Sequence, residues 1–205
     1  MNRQGHAIVA GVDEVGRGAL AGPVVSAAVV LPASYHDDLV TDSKKLSPRK
    51  REKADRLIRN NALAWSIGAA GVGEIDEHNI HHATLIAMRR AVLGLRLIPD
   101  FVIVDGRFLP ELPYPGKAQV QADVTESNVS AASILAKVFR DHYMLFLKRQ
   151  YPQYGFCRHK GYPTAMHLEA LRNFGPCPEH RRSFSPVAQT LGPRAQNEPE
   201  LRESY

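Results

Sequence analysis

The chain has 205 residues, 44% of them hydrophobic and 23% charged, and these ordinary globular proportions argue against wholesale disorder. Its longest apolar stretch, residues 23–31, is far shorter than the ~20 residues that a membrane helix needs, and the first dozen residues lack a secretory signal. We therefore expect a soluble, cytoplasmic protein whose net charge of +5 modestly favours a polyanionic partner such as nucleic acid.

Strands dominate the predicted start of the chain. Residues 7–12 and 23–31 are apolar runs joined by a short glycine-rich loop, so we expect an antiparallel pair buried in a sheet. Ser47-Pro48 is a typical helix start and predicts an amphipathic helix over residues 49–60. A third strand is predicted at residues 63–70.

The second half of the chain alternates helices with strands. Residues 74–96 have a helical pattern that fits one helix or two, residues 101–105 form a short apolar strand, and residues 118–122 are a candidate for another. Helices are predicted over residues 127–149 and 165–174. This order predicts an α/β fold in which a mixed sheet is flanked by helices and followed by a helical C-terminal extension.

The composition also divides the chain into a folded part and a tail. We assign residues 1–192 to a single domain and expect the polar, proline-containing residues 193–205 to be disordered. Cys157 and Cys177 form no Cys-x-x-Cys pair, so we expect free thiols in a reducing compartment.

Acidic residues stand at the ends of predicted strands. Asp13 and Glu14 follow the first strand, Asp105 ends a later one, and Asp123 ends the candidate strand before the long helix. Ligand sites in α/β sheets often lie at such ends. Gathered carboxylates repel one another unless cations neutralise them, and Mg²⁺ and Mn²⁺ prefer oxygen ligands. Two such ions, ~3.5–4 Å apart, can activate a water and stabilise the leaving oxygen of a phosphodiester.

The residues alone leave plainer interpretations open. Acids at strand ends are most often turn formers or helix caps. Asp141 shares a predicted helix face with Ile134, Val138 and Leu145, where an acid is either a salt-bridge partner or a site residue, and we favour the structural role.

Six short motifs follow one another along the chain. They are Gly11-Val12-Asp13-Glu14-Val15-Gly16-Arg17-Gly18, Asp42-Ser43-Lys44-Lys45-Leu46, Val104-Asp105-Gly106, Ala122-Asp123 with Ser130-Ala131-Ala132-Ser133-Ile134-Leu135-Ala136-Lys137-Val138, His159-Lys160-Gly161-Tyr162, and His180-Arg181-Arg182-Ser183-Phe184. With these motifs in this order, the chain resembles the ribonuclease HII family, the type 2 ribonucleases H, over residues 11–184. The resemblance implies a ribonuclease H-like sheet with a helical C-terminal extension.

The resemblance implies four catalytic carboxylates, which correspond to Asp13, Glu14, Asp105 and Asp123. Asp13 would bridge two divalent ions, Mn²⁺ or Mg²⁺, while Asp105 and Asp123 would each ligate one and Glu14 would complete the site. The implied reaction is hydrolysis on the 5′ side of ribonucleotides embedded in duplex DNA, and of the RNA strand of RNA–DNA hybrids. It would leave a 3′-hydroxyl and a 5′-phosphate.

The resemblance also implies substrate-binding residues. The backbone of Gly16, Arg17 and Gly18 would approach the nucleic acid closely and contact a 2′-hydroxyl, although a simple tight turn would have the same sequence. Tyr162 would pack against the deoxyribose that follows the ribonucleotide. The implied phosphate contacts, which a solvated basic surface would also explain, are Ser43, Lys44, Lys45, Arg181 and Arg182.

Two other functions remain open. A DNA-junction resolvase would use the same acids, although Gly16–Gly18 and Tyr162 argue against it. A binding module without catalysis could use the basic surface, although four acids near phosphates would weaken binding unless metals were present. The resemblance implies a monomer, and the tail contains no convincing peptide motif to support a sliding-clamp partner.

Overall fold

A five-stranded mixed sheet forms the centre of the structure, a computed structural model that describes residues 8–40, 43 and 46–192. Its strands are β1 (Val9–Val15), β2 (Val24–Val30), β3 (Ala64–Ala70), β4 (Phe101–Asp105) and β5 (Gly116–Gln119). The strand order is β3-β2-β1-β4-β5. β2 pairs antiparallel with both β1 and β3, whereas β1 with β4 and β4 with β5 are parallel.

Helices cover both faces of this sheet and then form the C-terminal extension. They are α1 (Pro48–Asn61), α2 (Val72–Leu93), α3 (Ala122–Thr125), α4 (Ser127–Gln150), α5 (Phe156–His159), α6 (Ala165–Phe174) and α7 (Ser185–Ala188), with a short 3-10 turn at Pro152–Tyr154. α1 and α4 pack on one face and α2 on the other. The expected α/β fold with a helical extension is confirmed.

The burial of β2 shows why the sheet needs helices on both sides. Every residue of β2 is buried. Val25, Ala27 and Val29 point towards α1 and α4, whereas Ala28 and Val30 point towards α2. This is the alternation expected of a strand, with both of its faces covered.

The start of α4 lies very close to β1. A Cβ atom on Gly11 would lie 2.3 Å from the backbone of Asn128 and Val129, so only glycine fits there. The Asn128 amide donates to the carbonyl oxygen of Val9 at 3.0 Å and accepts from the backbone N–H of Leu31 at 2.9 Å. These contacts fix the position at which α4 crosses the sheet.

The first strand is longer than predicted. β1 extends to Val15, so Asp13 and Glu14 lie within the strand rather than after it. The antiparallel ladder with β2 continues past the predicted end, where Asp13 pairs with Ala27. Pairing with β2 therefore sets the end of this strand, and the local apolar run does not reveal that pairing.

The surroundings of Asp123 were also predicted wrongly. The candidate strand at residues 118–122 lies earlier, as β5, and ends at Gln119. The chain then turns through Gln121, whose φ of 60° is left-handed, into α3. Asp123 therefore lies in a short helix and not at a strand end.

The long helical segment after β3 contains a kink. α2 is interrupted at Asn79, where φ is 64°. The Asn79 side chain accepts hydrogen bonds from the backbone N–H groups of His81 and His82, and so caps the second part of the helix. The pattern that fitted one helix or two reflects this break.

Two expectations concern the whole chain. No helix in the described part is both long and apolar enough to cross a membrane. The tail assigned to residues 193–205 lies outside the described residues.

Candidate active site

Asp13 lies at the centre of the candidate site. Only 6% of its surface is exposed, and its Oδ1 accepts a hydrogen bond of 2.7 Å from the backbone N–H of Glu14. The Ser133 hydroxyl, on α4, donates another. Burial, followed by the negative charges of Glu14 and Asp105, raises the pKa of Asp13 to about 8. These surroundings therefore favour a proton or a cation on this carboxylate at neutral pH.

Asp105 and Asp123 form a carboxylate cluster with Asp13. Asp105 ends β4, and its Oδ1 accepts a hydrogen bond of 2.8 Å from the backbone N–H of Ala122, at the start of α3. Asp123 directly follows Ala122 in α3 and is 4% exposed. One carboxylate oxygen from each aspartate lies within 4.8 Å of the other two. Two of the three aspartates are buried and Asp105 is half-buried, and oxygen ligands at this spacing suit a hard divalent cation, so these residues fit Mg²⁺ or Mn²⁺.

Glu14 lies beside this cluster and is not one of the three residues with that spacing. Successive side chains of a strand point to opposite faces, which separates Glu14 from Asp13. A carboxylate oxygen of Glu14 is 3.7 Å from Nη1 of Arg17, and 17% of the Glu14 side chain is exposed. The negative charge of Glu14 contributes to the raised pKa of Asp13, and the role of Glu14 in completing a metal site remains a prediction.

A cavity of about 300 Å³ opens at the cluster. The residues that line it include three predicted acids, two predicted substrate contacts and one lysine. They are Asp13, Glu14, Val15, Ser43, Asp105, Ser133, Lys137 and Tyr162. The structure thus brings residues from five of the six motifs to one place.

The loop before α1 contributes Ser43 to this cavity. Ser43 is 4% exposed, and its hydroxyl lies 2.9 Å from the hydroxyl of Ser133. Its carbonyl oxygen accepts a hydrogen bond of 2.9 Å from Nε of Arg51. The predicted phosphate contacts Lys44 and Lys45 lie outside the described residues.

Lys137 is a cation at the cavity that sequence reasoning did not identify as a site residue. Its Nζ lies 2.7 Å from Oδ1 of Asp141, and 25% of its side chain is exposed. Nη1 of Arg51 is 3.8 Å from the other oxygen of Asp141, which agrees with the structural role favoured for this acid. The available signal was spacing, because Lys137 follows Ser133 by one helical turn and shares its face.

Two buried arginines support the loop Gly16–Gly18. Gly16 has a φ of 94°, and a Cβ atom there would lie 2.2 Å from Nε of Arg140. The Arg181 guanidinium donates hydrogen bonds to the carbonyl oxygens of Gly16, at 2.7 Å, and of Arg17, at 2.8 Å. The left-handed backbone and the close contact both require glycine at position 16.

The phosphate contact predicted for Arg181 is wrong. This side chain is fully buried, and it also donates to the carbonyl oxygen of Gly22 at 2.8 and 3.0 Å. Burial, followed by the nearby Arg140, lowers the pKa of Arg181 to about 9. A buried guanidinium whose donors are occupied by carbonyl groups does not reach a phosphate at the surface. Arg182 is exposed, and its phosphate contact remains a prediction.

Tyr162 lies at the cavity next to the glycine loop. A Cβ atom on Gly18 would be 4.0 Å from Cε1 of Tyr162, which is ordinary contact distance. Cζ of Arg140 lies 5.5 Å from the centre of the Tyr162 ring. Arg140 also donates to the carbonyl oxygens of Lys160, at 3.0 Å, and Ala21, at 3.1 Å, so one buried side chain connects the segments next to Tyr162 and to the glycine loop.

Comparison with known proteins connects this site to one family. The family model described as Ribonuclease HII matches residues 10–187. A Ribonuclease HII of Aliivibrio fischeri (strain MJ11) is 52% identical over 189 residues, which cover 92% of this chain and 91% of the relative.

Solved structures share the fold. Ribonuclease H2 from Pyrococcus horikoshii OT3 is 29% identical with a TM-score of 0.77, covering 93% of this chain and 99% of that one. RNase HII in the PCNA:RNase HII complex from Archaeoglobus fulgidus is 28% identical with a TM-score of 0.70, covering 85% and 93%. Bst-RNase HIII in complex with Mn²⁺ is 18% identical with a TM-score of 0.73, covering 92% and 70%, and shows likeness of fold alone.

Proposed function

Because the chain belongs to the ribonuclease HII family and is a ribonuclease H, we propose that it cuts duplexes on the 5′ side of ribonucleotides. Its substrates are ribonucleotides embedded in duplex DNA and the RNA strand of RNA–DNA hybrids. The products are a 3′-hydroxyl and a 5′-phosphate. The observation that carries this proposal is the carboxylate cluster, in which one oxygen of each aspartate lies within 4.8 Å of the others and two of the aspartates line the cavity bordered by Tyr162.

The cofactor we propose is a pair of divalent ions, Mn²⁺ or Mg²⁺, held by Asp13, Asp105 and Asp123 with Glu14 beside them. The raised pKa of Asp13 supports this, since a cation would offset the burial of this carboxylate and its repulsion from Glu14 and Asp105. When bound, such ions supply an activated water and neutralise charge on the leaving oxygen.

The protein's own groups orient the reaction. Ser133 donates to Asp13, and the backbone N–H of Ala122 donates to Asp105, so both carboxylates are held before a cation arrives. Lys137 offers a positive charge at the same cavity, where it would attract a phosphate of the cut strand. Asp141 holds that ammonium group at 2.7 Å and so limits where it can reach.

The loop Gly16–Gly18 and Tyr162 would recognise the ribonucleotide. Gly18 is exposed, and backbone groups there would contact the 2′-hydroxyl, which distinguishes RNA from DNA. Tyr162 borders both Gly18 and the cavity, so its ring would meet the sugar of the next nucleotide. These two roles favour an enzyme that cuts at ribonucleotide–deoxyribonucleotide junctions. They disfavour the junction resolvase and the binding module that the residues alone left open.

An archaeal relative has been solved in complex with PCNA. The tail of this chain contains no convincing peptide motif for a sliding clamp, and the partner that we propose is nucleic acid.

A cleavage assay tests the function. The substrate is an end-labelled DNA duplex with one embedded ribonucleotide, compared with an all-DNA duplex, with Mn²⁺, Mg²⁺ or chelator. We expect metal-dependent cutting only on the 5′ side of the ribonucleotide. Equal cutting of the all-DNA duplex, or none by folded protein, would refute the proposal.

The same assay tests the role of Tyr162. Tyr162→Ala should lower cleavage of the single-ribonucleotide duplex more than that of a continuous hybrid, because the ring is proposed to contact the following deoxyribose. Tyr162→Phe, which keeps the ring, is the matched control and should retain the selectivity.

A further inference from the structure

Two buried histidines lie behind Tyr162. Nδ1 of His167 is 3.0 Å from the carbonyl oxygen of Tyr162, and Nε2 of His167 is 3.0 Å from Nε2 of His180. Nδ1 of His180 is 3.0 Å from the backbone nitrogen of Cys177. His167 is 0% and His180 1% exposed. The proposed reaction uses neither ring, so the burial of this polar pair needs another explanation.

The neighbours of the rings determine which nitrogen carries the proton. The Tyr162 carbonyl oxygen only accepts, so His167 donates from Nδ1 and its Nε2 is an acceptor. The Cys177 N–H only donates, so Nδ1 of His180 accepts and its proton is on Nε2. His180 therefore donates to His167, and both rings are neutral with each ring nitrogen paired. Burial, which lowers the pKa of each ring to about 4, favours the same state.

The pair connects two elements of the site. His180 forms an isolated antiparallel bridge with Ala21, just after the glycine loop. The next residue is Arg181, whose guanidinium holds the carbonyl oxygen of Gly16 at 2.7 Å. At the other end, His167 holds the backbone of Tyr162. One hydrogen bond between two rings thus joins the segment that supports the glycine loop to the segment that carries the tyrosine.

We propose that His167 and His180 are positioning residues that hold Tyr162 and the loop Gly16–Gly18 at a fixed separation, and so set the preference for a ribonucleotide followed by a deoxyribonucleotide. The inference rests on the proposed function, which assigns adjacent sugars to these two elements. Their separation must then match the spacing of two nucleotides. The carboxylates lie on other elements, so loosening the pair would change substrate choice more than the cutting step.

Two substitutions at His167 separate its two hydrogen bonds. The amide of His167→Asn matches the position of Nδ1 and keeps the bond to Tyr162, but leaves His180 without its acceptor. The amide of His167→Gln matches Nε2 and keeps the bond to His180, but loses the bond to Tyr162. His36→Asn is the matched control, because 93% of the His36 side chain is exposed.

The activity readout is the ratio of kcat/KM for a single-ribonucleotide duplex to kcat/KM for a continuous hybrid. Since the connection needs both bonds, we expect each His167 variant to lower this ratio about tenfold, mainly through KM, and His36→Asn to leave it unchanged. An unchanged ratio in both folded variants overturns the proposal. An equal loss on the two substrates also overturns it, since that is what a general structural defect would produce.

Two measurements test the pair independently of cleavage. Nitrogen-15 NMR of the histidine rings should show neutral His167 protonated on Nδ1 and neutral His180 protonated on Nε2; other tautomers or charged rings would overturn the proposal. Amide hydrogen exchange of the His167 variants should speed up at both Gly16–Gly18 and Tyr162, whereas a change at one element alone would contradict the coupling. If the wild type fails to cut the single-ribonucleotide duplex, the proposed function fails and these results still decide whether the elements are coupled.

Discussion

Nη2 of Arg181 lies 2.7 Å from the carbonyl oxygen of Gly16, whereas Arg182, the next residue, is exposed. Two adjacent arginines with the same charge therefore have different roles. One supports a loop from inside the protein, and the other presents its charge to solvent.

Arg181→Met should lower the free energy of unfolding by about 3 kcal/mol, because several buried carbonyl groups lose their donor. Urea unfolding measures this change. Arg182→Met is the matched control and should leave stability within about 0.5 kcal/mol. If Arg182 contacts a phosphate, its loss should reduce the salt dependence of substrate binding by about one counterion. Equal stability of the two variants would contradict this assignment.

Asp13→Asn should abolish cleavage and leave duplex binding intact, since it removes a proposed cation ligand at the centre of the cluster. In the wild type, Mn²⁺ should raise Tm, and this rise should disappear in the variant. Asp38→Asn, at a side chain that is 99% exposed, should retain both the activity and the rise in Tm. Turnover by Asp13→Asn would show that the cutting site lies elsewhere.

Gly16→Ala should destabilise the protein by about 3 kcal/mol, because it combines a left-handed backbone with a clash against Arg140. Gly18→Ala, where an added Cβ only touches Tyr162 at 4.0 Å, should unfold like the wild type and instead raise KM for substrates with a ribonucleotide. Thermal melts and steady-state kinetics of the pair separate the two effects. The reverse pattern would show that the loop is not built as described.

Lys137→Met should lower kcat/KM about tenfold without unfolding the protein, since it removes the positive charge of Lys137 from the cavity that holds the carboxylates. Lys148→Met is the control, because Lys148 is an exposed lysine of the same helix, in its last turn. Matching kinetics for the two variants would show that Lys137 acts only as a partner of Asp141.

Acid should destabilise the protein through the histidine pair. The folded-state pKa of His167 and of His180 is about 4, below the unfolded value of 6.5, so the unfolded state binds more protons between these limits. Stability from the pair is therefore complete above pH 6.5 and falls as the pH drops towards 4, by about 3 kcal/mol for each ring.

The raised pKa of Asp13 has the opposite effect in metal-free protein, since its stability contribution falls as the pH rises towards 8. The measurement is therefore urea unfolding against pH in an Asp13→Asn background, with and without His180→Gln. We expect a smaller loss on acidification when His180 is replaced. Identical pH profiles would mean that the pair is not held neutral.

Sequence reasoning located the carboxylates better than it described their surroundings. Asp105 lies at the end of β4, as predicted from a short apolar run that stops at an acid. Asp123 was assigned to a strand end and lies in α3, because the turn at Gln121 uses a left-handed backbone that a non-glycine residue does not signal. Asp13 lies inside β1, since pairing with β2 extends the strand. Residue type and predicted strand ends made these acids candidates and the family resemblance selected them, whereas their secondary structure depended on distant parts of the chain.

The sequence did not distinguish the buried Arg181 from the exposed Arg182. Neither charge nor spacing distinguishes Arg181 from Arg182, because burial is decided by the carbonyl groups of a loop that is remote in sequence. Lys137 was missed for a related reason: its position at the cavity depends on how α4 crosses the sheet. Both errors concern which groups meet across the fold, which local patterns do not encode.

The contact between Arg181 and Gly16 spans 165 residues, and this has a consequence for how the protein is made. During synthesis from the N-terminus, Asp13, Asp105 and Asp123 have all emerged before Arg181 does. A nascent or truncated chain that stops short of Arg181 contains every residue of the carboxylate cluster, but its glycine loop lacks the hydrogen bonds from the Arg181 guanidinium. We therefore expect the glycine loop to reach its final conformation only after Arg181 has been made, later than the three aspartates are available.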